Sequence, residues 1–344
     1  MREKLHGHIQ RRLGRFTDLE EVEFHEFWGH SESHFMEDTI NTGVLAMPTY
    51  WYSPQARCCA GLWQFTGKNL APEDPIQETM LFTLADDVTG DLGFRAFHET
   101  VKEAHVGVTV KLDITRAGAS PRGRLFYFEA TAVSIVGRKL VVECPLWDAD
   151  TGEQLITVKA THVFVRVDDY GRLSSAKKKR ASAPPAPTST PALTSVPVLT
   201  SLPQSDLRAL NRVFNFFSPG RVEHTAGSID EQAQRLELQL GFGSHLCGPP
   251  MYVHGGVLGT VLANASQLLL TKVAGLGPHA VVASAREVNY HRAIPEECKS
   301  ATVEARIESA DRSQVVVFSQ ILFSGRLSTI LKTTFTLVQM PSKL

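Results

Sequence analysis

The sequence predicts an α+β fold built as two units, each an antiparallel sheet wrapped round one long helix, joined by a flexible linker. Three observations carry that prediction. The stretch 174–205, SSAKKKRASAPPAPTSTPALTSVPVLTSLPQS, is dominated by Pro, Ser, Thr and Ala and divides the chain. On each side of it one long run with helical apolar spacing precedes a series of β-type runs. The two sides also follow the same order, as an internal duplication would.

The expected boundaries are an N-terminal extension at 1–43, a first unit at 44–172, the linker at 173–205 and a second unit at 206–340. The opening MREKLHGHIQRRLGRF places Leu5, Ile9, Leu13 and Phe16 on one helical face among basic residues. It reads as an exposed leading helix in preference to a mitochondrial presequence, which would be rich in Ser and poor in acid. PTYWYSPQARCCAGLWQF is expected to contain the first strand of the first unit.

From Pro75 to His98, Met80, Leu81, Leu84, Val88 and Leu92 recur at helical spacing, and proline suits a first turn. Strand-like runs follow at 105–115, 123–135, 139–148 and 154–167, with Asp150-Thr151-Gly152 marking the turn before the last. Beyond the linker a helix is expected over 254–273, then strands at 280–291, 301–309, 314–324 and 327–339. Phe128-Glu129-Ala130 can be laid on Val303-Glu304-Ala305, Gly152 on Gly325, and Arg116-Ala117 on Arg292-Ala293. Each unit alone would leave a sheet edge and a helix flank bare, so pairing about a pseudo-twofold would cover both.

Composition narrows the function. A formal net charge of -1, with 43% hydrophobic and 21% charged residues, describes a globular chain and argues against a nucleic-acid partner. No apolar run is long enough for a membrane span. The five cysteines have neither disulfide-ladder nor zinc spacing, and the thirteen histidines include no HxxH or HExxH, so no metal is inferred. A cytoplasmic location is expected, with the mitochondrial matrix as the alternative. The run Lys177-Lys178-Lys179-Arg180 reads as a solvated charge cluster rather than a nuclear signal.

The run YVHGGVLGTVLANAS (252–266) carries the chemistry. Glycines at a helix start admit a ligand close to the backbone, and the first helical amides have no intrahelical acceptor. Gly255 and Gly256 are thus candidate donors to an oxygen gaining negative charge, aided by the helix dipole. The plain alternative is that the glycines relieve crowding and that His254 is a hydrogen-bonded core histidine.

HGGVLGTVLANAS resembles the signature of the hotdog-fold acyl-CoA thioesterases of the His-Gly-Gly type. The likeness continues into VNYHRAIP (288–295); it covers most of 230–340 and, more weakly, 75–168. It implies a tandem (double) hotdog in which the first glycine supplies an oxyanion-hole amide. In that family an Asp or Glu nine residues after the histidine is the nucleophile or general base. Here that position is Ala263, followed by Asn264. In the first unit TLADDVTG (83–90) resembles the same mid-helix segment, with Asp86 at the acid position and Gln77 where the histidine would stand.

Each half therefore has what the other lacks. Eight residues of helix separate Gly255 from position 263 by roughly 12 Å, too far for both groups to meet one reacting carbon, so the acid has to come from a neighbouring helix. Asp86 and Gly255 would form one live site, and Gln77 with Ala263 a vestigial one. Asp87 is the alternative acid. Thr89 and Ser266 lie a turn beyond the acid positions and could hold a carboxylate, although back-bonding is commoner. His245, Asn264 and Arg292 are candidate substrate-binding residues, with Cys247, Lys272 and Arg286 weaker ones.

The leading expectation is hydrolysis of acyl-CoA or other acyl thioesters, with coenzyme A entering as part of the substrate and no separate cofactor. A non-catalytic acyl-CoA-binding or scaffold protein, and an enoyl or hydroxyacyl thioester hydratase-dehydratase using His98 or His105, are the alternatives. A homodimer of double-hotdog chains is a possible assembly.

Overall fold

The computed structural model describes residues 7–22, 45–66, 75–100, 105–117, 124–166, 200–217, 222–242, 246–248, 252–277, 280–295, 298 and 300–338. Helix α1 is Gly7–Leu13, followed by β1 (Glu20–Glu21), β2 (Leu45–Ser53) and β3 (Cys58–Phe65). Helix α2 (Pro75–Thr100) leads into β4 (His105–Arg116), β5 (Leu125–Val136), β6 (Lys139–Asp148) and β7 (Gln154–Arg166). The chain resumes with β8 (Thr200–Ser201), α3 (Gln204–Phe217), β9 (Val222–Asp230), β10 (Arg235–Phe242), β11 (Cys247–Gly248) and β12 (Tyr252–Val253). Helix α4 (Gly255–Val273) then precedes β13 (Val281–Tyr290), β14 (Ser300–Ala310), β15 (Gln314–Phe323) and β16 (Arg326–Leu337).

Instead of two self-contained sheets, fourteen of the described strands form one antiparallel sheet in the order β1-β2-β3-β5-β6-β7-β4-β13-β16-β15-β14-β10-β9-β8, and β11 pairs separately with β12. That order reads the same from both ends outward from the central β4–β13 pair. In this pair Leu112 stands opposite Val288, and the two are separated in sequence by the same interval as Arg116 and Arg292. The strands that follow the two long helices thus cover each other's edges.

Helix α2 lies against β4–β7, α4 against β10 and β14–β16, and the two helices touch each other. Their packing follows from periodicity. Leu81, Leu84, Ala85, Val88, Leu92 and Ala96 are buried along α2 at three- and four-residue spacing. Along α4, Val257, Leu258, Val261, Leu262, Ala265, Leu269 and Leu270 are buried, so this helix is wrapped on most of its sides. It ends at Gly275, whose φ of +64° lets the Leu276 N–H turn back to the Leu270 carbonyl at 3.2 Å. In the β6–β7 turn, Asp148 Oδ1 accepts from the Asp150 and Thr151 amides at 2.9 and 3.0 Å. Gly152 and Gly325 both adopt left-handed backbone, at φ +76° and +67°, in the corresponding turns.

Three expectations need revision. Helix α1 is not an exposed leader: Ile9 and Leu13 are buried with Trp51, Ala60, Leu62, Tyr127 and Trp147 on the sheet face away from α2. Arg15 and Arg12 hold the buried Glu129 carboxylate at 2.6 and 3.9 Å. The stretch 48–65, expected to contain the first strand, holds two, since β3 pairs with β2 in a hairpin. Its residues alternate between the α1 face and the α2 face, which is why β3 is buried on both sides. Finally, the last residues of the 173–205 segment belong to the fold, since Thr200–Ser201 pairs with β9 and α3 begins at Gln204. The rest of that segment, including the Lys177–Arg180 run, lies outside the described residues. No helix among the described residues is long and apolar enough to cross a membrane.

Candidate active site at the crossing of two helices

The site is assembled where the start of α4 meets the first half of α2. His254 caps α4: its backbone is extended, its Nδ1 accepts from the Gly256 N–H at 3.2 Å, and its carbonyl accepts from Val257 and Leu258. Its own N–H donates to the Leu246 carbonyl at 2.8 Å. No acceptor stands opposite the Gly255 N–H among the described residues.

The two glycines answer different demands. A Cβ on Gly256 would stand 2.8 Å from Thr83 Cα and 2.9 Å from Thr83 Cγ2, so this glycine lets the backbones of α2 and α4 approach. A Cβ on Gly255 would instead stand 3.0 Å from Asp86 Oδ2 and 3.3 Å from the Tyr290 ring. The first glycine therefore faces an acid and an aromatic wall, and the second a neighbouring helix. At the crossing Thr83 Oγ1 meets Thr260 Oγ1 at 2.9 Å and the Gly256 carbonyl at 3.3 Å. Thr83 and Thr260 share the sequence separation of Asp86 and Ala263, so matched positions of the two helices face each other here.

Asp86 is only 3% exposed and Asp87 6%. Asp86 Oδ2 lies 3.7 Å from His254 Nδ1, and Asp87 Oδ1 lies 3.3 Å from His254 Nε2. Asp86 Oδ1 is buried without a hydrogen-bond partner. Burial raises the Asp86 carboxyl above its usual range; His254, the Thr109 hydroxyl and the Gly256 amide oppose that rise without cancelling it. Burial alone would lower His254, but the Asp87 hydrogen bond and the charges of both aspartates outweigh it and the imidazole titrates above its ordinary value. The buried carboxyl and the imidazole beside it both hold a proton more tightly than usual, as groups suited to acid–base work do.

Tyr290, at the end of β13, donates from its hydroxyl to the Gly255 carbonyl at 2.9 Å. Beyond Asp86, Thr109 Oγ1 pairs with His162 Nδ1 at 3.2 Å, and burial lowers the His162 imidazole to about 4. Tyr290 lies within the VNYHRAIP run, but its role, like those of Thr83, Thr109 and His162, was not evident from the sequence. Only the match between Thr83 and Thr260 was open to detection beforehand.

The remaining candidates are scattered. Thr89 donates to the Asp86 carbonyl at 3.0 Å, and Ser266 to the Leu262 carbonyl at 2.9 Å, so both hydroxyls are engaged in back-bonding and neither is directed at a carboxylate. In the reciprocal position Ala263 offers no acid, and Asn264 Nδ2 is buried without a partner. Arg292 is held through its backbone by Ser328, at 3.1 Å through its N–H and 2.7 Å through its carbonyl. Lys272 pairs with Asp206 of α3 at 2.7 Å. His98 and His105 sit at the far end of α2, His105 against Phe97, and not beside Asp86. His245 and the Cys247 side chain lie outside the described residues. Among the described residues no group of three or more His, Cys, Asp or Glu side chains is placed to share a metal ion.

No protein-family model matches the chain, and no curated protein matches its sequence. Solved structures do resemble it. The tesB protein of Mycobacterium avium subsp. paratuberculosis is similar over 88% of this chain and 98% of its own, at 10% identity and a TM-score of 0.51. The 12:0-ACP thioesterase from Umbellularia californica is similar over 82% of this chain and 95% of its own, at 9% identity and a TM-score of 0.51. At such identities the likeness is one of fold, and the fold shared is the hotdog fold of these thioesterases.

Proposed function

We propose that this chain is a tandem hotdog that hydrolyses acyl thioesters, acyl-CoA foremost, at one composite site between its two units. The observation that carries the reading is the approach of Asp86 to Gly255: a buried carboxylate from α2 stands against a helix-start amide of α4 that has no acceptor among the described residues. These are the two groups that acyl transfer needs, and neither helix holds both. The palindromic strand order and the Thr83–Thr260 contact support the two-unit reading.

The thioester carbonyl oxygen would accept from the Gly255 N–H, which the positive end of α4 reinforces as charge develops. Asp86 would either attack the carbonyl carbon or take a proton from a water that does so. In both courses water is added, the C–S bond breaks, the free acid leaves, and the thiolate takes up the proton. Tyr290 fixes the Gly255 peptide from its carbonyl side. Gly256 is not part of this oxyanion hole, because its N–H is held by His254 Nδ1.

The test is thiol release from short, medium and long acyl-CoAs, and from carrier-bound acyl chains as the name of the Umbellularia enzyme suggests, with wild type, Asp86→Asn and Asp87→Asn. Wild-type turnover that Asp86→Asn abolishes is expected. Full activity in Asp86→Asn would refute the assignment, and binding of acyl-CoA without turnover of any thioester would leave a binding protein. A hydratase is the second reading, favoured by the His254–Asp87 contact. Hydration of an enoyl-CoA without thiol release would establish it.

A further inference from the structure

Asp87 has no part in the hydrolytic step above, yet it is buried on the same helix turn as the proposed acid. A neutral imidazole has one nitrogen that donates and one that accepts. The Gly256 N–H can only donate, so His254 Nδ1, which receives it at 3.2 Å, has to carry the lone pair. The ring proton then sits on Nε2, and the group facing Nε2 has to accept. Asp87 Oδ1 stands there at 3.3 Å. Consecutive residues of a helix are turned about 100° apart, so Asp86 and Asp87 reach the two sides of one imidazole. Asp86 Oδ2 is 3.7 Å from Nδ1, and Asp87 Oδ1 is on Nε2.

We propose that Asp87 is a positioning residue that fixes the His254 tautomer and ring orientation, and through them the first turn of α4. His254 is the residue before Gly255 and the cap of the helix whose first amide would receive the carbonyl oxygen. With the Nε2 proton held by Asp87, Nδ1 keeps the Gly256 N–H, and the Gly255 N–H alone remains for the substrate. Without that anchor the imidazole can take its proton on Nδ1, where it would meet the Gly256 N–H donor to donor, and the cap would loosen. The Asp86-Asp87 pair then divides two tasks, one acid for the reaction and one for the shape of the donor.

The consequence for rate rests on the hydrolase reading; the tautomer does not. In protein labelled with 15N histidine, nitrogen shifts at alkaline pH are expected to show His254 with its proton on Nε2 in the wild type. Asp87→Ala loses that preference, and Asp87→Asn, whose side-chain oxygen can still accept, retains it. For thioester hydrolysis kcat should fall about a hundredfold in Asp87→Ala with KM little changed, and Asp87→Asn should recover most of the loss. Two results would overturn the proposal: a wild-type His254 protonated on Nδ1, or an Asp87→Ala variant with the wild-type tautomer. A wild type with the expected tautomer but no thiol release would sink the hydrolase reading and leave the Asp87 anchor standing.

Discussion

Alanine at Gly256 tests the helix crossing on which the proposed composite site depends. The new Cβ would lie 2.8 Å from Thr83 Cα, 2.9 Å from Thr83 Cγ2 and 3.2 Å from His254 Nδ1. Carbon atoms in ordinary contact stand about 3.5–4.0 Å apart, so the shortfall is roughly 0.7–1.2 Å. Thr83 Cα is backbone, and no rotamer change relieves it; α2 and α4 have to separate. Overpacking of this kind costs about 1–3 kcal/mol, and the better helix propensity of alanine returns at most about 1 kcal/mol. The net loss of up to about 2 kcal/mol corresponds, for a chain of 344 residues, to a fall in Tm of up to about 3 °C. Asp86 follows Thr83 by one turn on the same helix, so it retreats from Gly255 by a similar distance, and a misplacement near 1 Å lowers kcat about a hundredfold. Thermal melts and steady-state thiol release measure the two effects together. Gly255→Ala is the contrast: the nearest atoms its Cβ meets belong to the Asp86 carboxylate and the Tyr290 ring, so activity should fall with little loss of Tm. A Gly256→Ala protein with wild-type Tm and kcat would refute the close crossing and, with it, the composite site.

Three further outcomes follow from charge burial. The Asp86 carboxyl titrates above its usual 3.8 in the folded chain, so the native state holds this proton more tightly than the unfolded one and stability is lost as pH rises beyond 3.8. Asp86→Asn, with no proton to lose, should flatten that part of the stability curve and at neutral pH melt no lower than wild type while losing hydrolysis; a steeper curve would contradict the burial argument. For His162 the sign is opposite: with a folded value of about 4 against 6.5, the unfolded chain takes the proton first as pH falls, and up to about 3 kcal/mol is lost between 6.5 and 4. His162→Gln should reduce the acid-limb slope of stability, and an unchanged slope would show that the imidazole is not held neutral. Arg95 pairs with Asp91 at 2.9 Å in the core of α2, and Asp91 also accepts from the Tyr50 hydroxyl at 2.6 Å. Arg95→Met should cost about 3–5 kcal/mol by denaturant unfolding, and adding Asp91→Leu should restore much of it; additive losses would mean the pair is not coupled.

Much of the secondary structure was legible because its signals are local. The apolar spacing of Leu81, Leu84, Val88 and Leu92 marks α2, and long β-type runs mark β4–β7 and β13–β16, each within a few residues of its observed ends. Helix α3 and strands β8–β10 were not, and the reasons are compositional. Helix α3 begins inside a Pro- and Ser-rich stretch, and VEHTAGSID offers little apolar alternation, because β9 buries a histidine and polar residues under α3. The N-terminal helix was visible as amphipathic, but not its docking, since only the sheet decides that Trp51, Tyr127 and Trp147 form a second apolar face to receive it.

For the site, the inventory is written in residue types: a helix beginning His-Gly-Gly without an acid, an acid pair on another helix without the glycines, and a separation along one helix too long for self-sufficiency. Those facts depend on residue types and on the rise of a helix, both of which are local. How they meet depends on long-range packing. The β4–β13 pairing and the Thr83–Thr260 crossing set the register of one half against the other. That register places Asp86 at Gly255, turns Asp87 to the far side of His254, and brings Tyr290 to the Gly255 carbonyl. Neighbouring carboxylates of identical chemistry thus take different partners, because the rotation of α2 about its axis is set by everything packed around it, and no local pattern in the sequence encodes that angle.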